Sequence, residues 1–159
     1  MTYRITGLPR AAFSHLIGAS EAELARHNAV RMTASRPQSA PCRITLVDAE
    51  PGETLILVNH VSHDVANPYR ASHAIFVRET AEAAATYVDS VPPVFAPRIL
   101  SLRAFDEQGM MIDALLTQPG EADDGIRQLL ANPATAYIHA HNATRGCFSA
   151  RIDRHGAAA

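Results

Sequence analysis

The two segments that close the chain set the tightest constraint on its fold. Tyr137, His139, His141, Cys147, Ser149 and Arg151 occupy odd positions, while Ile138, Ala140, Phe148, Ala150 and Ile152 occupy even ones. Because a strand turns successive side chains to opposite faces, this alternation predicts a hairpin with one apolar and one polar face. The intervening Asn142-Ala143-Thr144-Arg145-Gly146 reads as a five-residue hairpin loop. With His141 opposite Cys147, His139 falls opposite Ser149 and Tyr137 opposite Arg151. A slip of one residue would drive histidines into an apolar core, at roughly 2 to 7 kcal/mol per unpaired polar group.

The rest of the chain reads as a helical N-terminal part, residues 1–39, followed by a sheet core over 40–154 and a tail over 155–159. Ser20 with Glu23 forms a capping box, which predicts a short helix running to about Asn28. Arg43 to Asp48 and Thr54 to Asn59 read as a hairpin around a Pro51-Gly52 type II turn. His60 to His73 has no period and is expected to be a long loop. Ala74 to Glu79 is a further strand and Thr80 to Tyr87 a short helix, after which Pro92, Pro93 and Pro97 force an extended connector. Arg98 to Asp106 and Met110 to Leu116 flank Glu107-Gln108-Gly109. That hairpin pairs Ala104 with Ile112, Leu102 with Ala114, Leu100 with Leu116, and Arg103 with Asp113. Glu121 to Ala131 is a helix. The fold class is therefore α+β: a single domain on a largely antiparallel sheet of about six to seven strands, with two to four short helices.

Composition narrows the functions open to such a domain. At 159 residues the chain can bury roughly 70% of its unfolded surface without staples. Its formal charge of −2 argues against nucleic acid and membrane surfaces as partners. All 14 basic residues are arginines, and the missing lysine removes Schiff-base chemistry and the P-loop lysine. The first residues do not read as a secretion signal, and the longest purely apolar run, Leu55 to Val58, is far below the about 20 residues of a membrane span. Two cysteines without a C-x-x-C motif exclude a disulfide framework and a four-thiolate zinc site. The expected compartment is the cytoplasm.

The polar face of the terminal hairpin is the candidate site, roofed by the 60–73 loop. In an enzyme, Cys147 would be the nucleophile, because a neighbouring cation favours the reactive thiolate. His141 or His139 would be the base, and Asn142 would orient the imidazole. Arg70, beside Tyr69 in the loop, or Arg151, opposite Tyr137, would anchor an acidic substrate. Three other readings stay open. In a binding module the same arginines hold a small anionic molecule without turning it over. In a metal site His139, His141 and Cys147 are ligands, joined by His60, His63 and Asp64 only where the fold brings them near. In a dimerisation domain the face pairs two copies of the chain. The sequence does not identify a cofactor, and that question stays open. Cys42 reads as buried filler, Asp48 and Glu53 as turn acceptors, and His15 and His27 as surface histidines.

Several short segments together resemble a known family. They are Pro41-Cys42-Arg43, the turn Asp48-Ala49-Glu50-Pro51-Gly52-Glu53, Pro68-Tyr69-Arg70-Ala71-Ser72 leading to Ile75-Phe76-Val77-Arg78, and Tyr137-Ile138-His139-Ala140-His141-Asn142-Ala143 with Gly146-Cys147. From about Ala40 to Arg154 they are similar to the domain of unknown function 1203. The resemblance implies a small single-domain bacterial protein and supplies no reaction. His73-Ala74 follows Ser72 where it implies Gly-Pro, so a tight turn there does not follow from it.

Overall fold

A computed structural model describes residues 1–156 and contains two antiparallel sheets. The larger is built from β1 (Thr2–Thr6), β5 (Thr86–Val88), β6 (Leu100–Phe105), β7 (Met111–Thr117), β8 (Tyr137–Asn142) and β9 (Phe148–His155), in the order β5-β1-β9-β8-β6-β7. Its central strands send Ile138, Ala140, Ala150 and Ile152 to one face, where they meet Ile126, Leu129 and Leu130 of helix α2 (Ala122–Leu130). Fully burying an Ile or Leu side chain stabilises by about 1.5 to 3 kcal/mol, so this layer dominates the larger sheet's stability. Gly125 lets the helix approach, since a Cβ there would lie 2.5 Å from Thr117 Cγ2 and 3.0 Å from Leu102 Cδ1.

The smaller sheet has the order β2-β3-β4, with β2 at Ala29–Thr33, β3 at Thr54–His63 and β4 at Ala71–Arg78. Its inner residues Ile56, Val58, Ile75 and Val77 pack against Phe13, Leu16 and Leu24. Leu24 comes from helix α1 (Glu21–Arg26), which Ser20 and Glu23 cap reciprocally as the sequence predicts. β4 lies against β9, which brings the His60–His73 region over the terminal hairpin. Among the described residues, no helix is long and apolar enough to cross a membrane.

The structure corrects several expectations. In place of one sheet of six to seven strands there are two, of six and three strands. β1 and β2 fall in the part read as helical, and Asn28, at φ 52°, turns the chain out of α1 into β2. Arg43 to Asp48 is a looped plug: Cys42, Ile44 and Leu46 point into the cores, giving a strand-like alternation without a ladder. The Pro51-Gly52 turn forms, with Glu53 N–H donating to Glu50 carbonyl and Gly52 at φ 92°, but β3 pairs with β2 instead. The long loop is only 64–70, because β3 and β4 extend into both ends.

Thr80 to Tyr87 forms no helix. Gly7 N–H donates to Ala85 carbonyl and Ala85 N–H to Ile44 carbonyl, so tertiary pairing with β1 overrides local propensity. The β6–β7 hairpin is shifted by one: Leu100 faces Thr117, Leu102 faces Leu115 and Ala104 faces Asp113. The cause is a bulge in β7. Phe105 still faces Met111, as the expected three-residue loop requires, and the extra residue lies between Met111 and Asp113. Within that loop the Asp106 carboxylate accepts from the Gln108 and Met110 amides. Arg103 therefore faces Ala114, not Asp113. The expected tail begins later than 155, since β9 includes His155; residues 157–159 lie outside the described residues.

Candidate functional site

The terminal hairpin keeps its parity from Tyr137 to His141 and from Ala150 to Ile152, but not its expected pairing, and Phe148, expected on the apolar face, lies on the histidine face instead of Cys147. Tyr137 faces Asp153, His139 faces Arg151, and Ala140 faces Ala150; a bulge then places Phe148 opposite His141. On the other side of β8, Phe105, Arg103 and Ser101 stand opposite Tyr137, His139 and His141. Directly opposed residues share a face, so three rows cross the sheet: Phe105–Tyr137–Asp153, Arg103–His139–Arg151 and Ser101–His141–Phe148. The bulge corrects the expected His141–Cys147 pair and brings the Phe148 ring against His139 and His141, with centroids 5.0 and 5.8 Å away.

The smaller sheet covers this face. His63 lies 5.0 Å from His139 and 4.3 Å from Phe105, ring centroid to centroid, and His73 lies 4.9 Å from His141. Between them is a pocket of about 200 Å³, whose wall includes His63, Arg70, His73, Arg103, His139 and His141 and contains no acidic side chain. Arg103 hydrogen-bonds only Ser101 Oγ, at 3.3 Å, and has no carboxylate partner among the described residues.

Hydrogen bonds fix which imidazole nitrogen carries the proton. A carbonyl oxygen can only accept, so the 3.0 Å contact from His141 Nδ1 to Gly146 carbonyl makes Nδ1 the N–H and leaves a lone pair on Nε2 of the neutral ring. His63 repeats this: Nδ1 donates to Tyr69 carbonyl at 2.9 Å, and Nε2 accepts from Tyr137 hydroxyl at 2.7 Å. Burial dominates the titration. It pushes His139 down to about 2, helped by the charges of His63, His141, Arg151 and His73. His141 is pushed down to about 4 by burial against the opposing Gly146 carbonyl, with Arg103, His73 and His63 adding to the fall. His73 is lowered by burial and then by Arg103, Arg43 and His60. The face is thus a set of neutral imidazoles beside fixed guanidinium charges, able to accept protons once an anion arrives.

Cys147 belongs to a different environment. Its sulfur accepts from Arg43 Nη2 at 3.1 Å and Asn142 Nδ2 at 3.3 Å, and no hydrogen bond joins it to an imidazole among the described residues. Asn142, expected to orient a histidine, orients the sulfur instead. Arg43 is 2% exposed, and its other donors reach Phe148 and Pro41 carbonyls. Burial depresses its pKa, while Cys147 raises it. A buried cation requires compensation, and among the described residues Cys147 is the only ionisable side chain hydrogen-bonded to it.

The remaining candidates are placed as follows. Tyr69 lends its carbonyl to His63, and Arg70 lines the pocket but pairs with exposed Asp64 at 3.0 Å. Arg151 lies 3.9 Å over the Tyr137 ring and pairs with Asp153, outside the pocket wall. His60 packs on Phe13, away from the pocket. Cys42 is fully buried. Asp48 and Glu53 do more than accept within a turn: they bind Arg98 and Arg78. No three His, Cys, Asp or Glu side chains are grouped as metal ligands among the described residues. Sequence reasoning missed Arg103, His73 and Phe105 as parts of the site. Only the corrected β6 register, or the reach of β4 over β9, signals them.

No curated protein and no solved structure matches the chain. The family described as Protein of unknown function (DUF1203) matches residues 39–154, a span that holds every residue of the histidine face and of the Cys147 environment, and the chain belongs to that family.

Proposed function

We propose that this protein binds a small carboxylate- or phosphate-bearing molecule on the histidine face of the terminal hairpin, beneath the 64–70 loop. The observation that carries the reading is Arg103: a half-buried guanidinium in an acid-free pocket wall, with no carboxylate partner among the described residues. Charge-assisted bonds to such a group are roughly twice as strong as neutral ones. His141 Nε2 would take up a proton as the anion arrives, and Arg70 would join by exchanging Asp64 for the ligand. Calorimetric titration with acetate, succinate, inorganic phosphate and phosphoglycolate tests it. Saturable binding that Arg103→Met weakens about tenfold or more, and Cys147→Ser leaves alone, supports the reading. Absence of binding by all four, or indifference to Arg103→Met, overturns it.

A second reading concerns chemistry at Cys147, favoured by the two N–H donors on its sulfur. In this reading the Arg43 and Asn142 N–H donors hold the sulfur in place, and neither histidine serves as its base.

A further inference from the structure

A second cavity opens on the other side of His73, between the outer face of the smaller sheet and the 142–147 loop. It is a groove of about 1100 Å³, slightly larger than the usual small-molecule site. Its wall contains Arg36, Arg43, Arg98 and Arg145 and no Asp or Glu, in a chain whose net charge is −2. Arg98 is neutralised by Asp48, with two contacts at 2.6 and 2.8 Å. Arg36 and Arg145 have no ion-pair partner among the described residues, and Arg43 has only carbonyls and the Cys147 sulfur.

The polar groups are unevenly spread. Thr144, Arg145 and Cys147 lie on one loop, and Arg43 joins that end through its bond to the sulfur. The floor leading away is apolar: Phe76, whose carbonyl accepts from Arg43 N–H, then Leu57 and Met32, which is 42% exposed. Leu57 faces Phe76 across β3 and β4, so their side chains share one surface. Asn142 Oδ1 is buried at the polar end without a hydrogen-bond partner among the described residues.

We infer that this groove binds an amphipathic acid, with its carboxylate or phosphate head at Arg145 and Arg43 and its apolar chain along Phe76, Leu57 and Met32. The charge of the wall selects an anion, and the floor selects a chain over a bare ion. Cys147 stands at the head-group end, so occupancy shields its sulfur.

The test uses decanoate and decyl phosphate below their micellar concentrations, with decyltrimethylammonium and inorganic phosphate as controls. Binding is read by calorimetry, and head-group occupancy by the rate of iodoacetamide labelling at Cys147. The expected result is saturable binding of at least one decyl anion that slows labelling several-fold. Arg145→Glu, at an exposed position that leaves the fold intact, should weaken it about tenfold or more. Leu57→Asp should weaken it as well, while Arg103→Met should not, which separates this inference from the histidine pocket. Equal binding of the cationic amphiphile, failure of both decyl anions to bind, or equal protection by inorganic phosphate alone overturns it.

Discussion

Phe148, not Cys147, stands opposite His141 across the terminal hairpin. One bulged residue therefore separates the thiol from the imidazoles, and hands it to Arg43 and Asn142. This gives a direct expectation for thiol labelling at pH 7. His141→Gln should leave the rate at Cys147 within about twofold, and Asn142→Ala should lower it several-fold, by loss of a donor to the sulfur. Cys42, fully buried, supplies the unreactive internal control in a peptide-mapped experiment. A strong dependence on His141 would restore the histidine-activated nucleophile.

Acid should destabilise the protein earlier than its carboxylates alone would cause. His139 and His141 have folded values of about 2 and about 4, below the roughly 6.5 of a free imidazole, so the unfolded chain binds more protons than the folded one below that pH. Their contribution is complete above about pH 6.5 and is lost as pH falls, down to about 4 for His141 and further for His139. From pH 7 to pH 5 the loss is on the order of 2 kcal/mol for each ring. Denaturant unfolding at both pH values checks it: His139→Phe should flatten the dependence, and an unchanged slope would contradict the burial argument.

Anion binding should run with proton uptake. A bound carboxylate or phosphate favours the charged imidazole at His141, which burial otherwise holds neutral. Affinity should rise as pH falls from 7.5 to 5.5, by no more than about tenfold for each step of one pH, the ceiling that uptake of a single proton sets. Calorimetry in buffers of different ionisation enthalpy measures the proton directly. Proton release would oppose the assigned tautomer and base.

Tyr137→Phe should cost about 1 to 3 kcal/mol although it removes one oxygen. It leaves His63 Nε2, buried and 2.7 Å from the Tyr137 hydroxyl, without its donor. Chemical denaturation of the variant checks this, with Arg151→Ala separating the loss of the cation above the ring.

The register of β6 and β7 can be read by mutation. Leu116 is 66% exposed, and Leu115 packs on the main core. Leu116→Ser should change stability by less than about 0.5 kcal/mol, and Leu115→Ser should cost about 1 to 3 kcal/mol. The opposite ranking would support the pairing that the sequence suggests.

Those two leucines also show where sequence reasoning stops. Alternation locates β6 and β7 and sets the pairing beside the loop, but a bulge between Met111 and Asp113 shifts the rest by one, and hydrophobic pattern alone does not report a bulge. The same limit hides Arg103, which pattern pairs with Asp113 and the fold sets beside His139. At 43–48, alternation reports the burial of Ile44 and Leu46 correctly but misses that of Arg43, and it reports secondary structure wrongly, since the segment is a looped plug.

What the sequence determined by itself was parity and local stops: Ile138, Ala140, Ala150 and Ile152 inward, Tyr137, His139 and His141 together on the other face, Ser20 and Glu23 capping α1. These follow from the strand period and from a side chain reaching its own amides, both short-range effects. Tertiary structure decided what faces the histidines. The packing of β4 against β9 brought His63 and His73 over them, the bulge inserted Phe148, and the path of 41–43 delivered a guanidinium to Cys147. Each depends on contacts between segments far apart in the chain, where burial and backbone pairing outweigh any preference a short window carries.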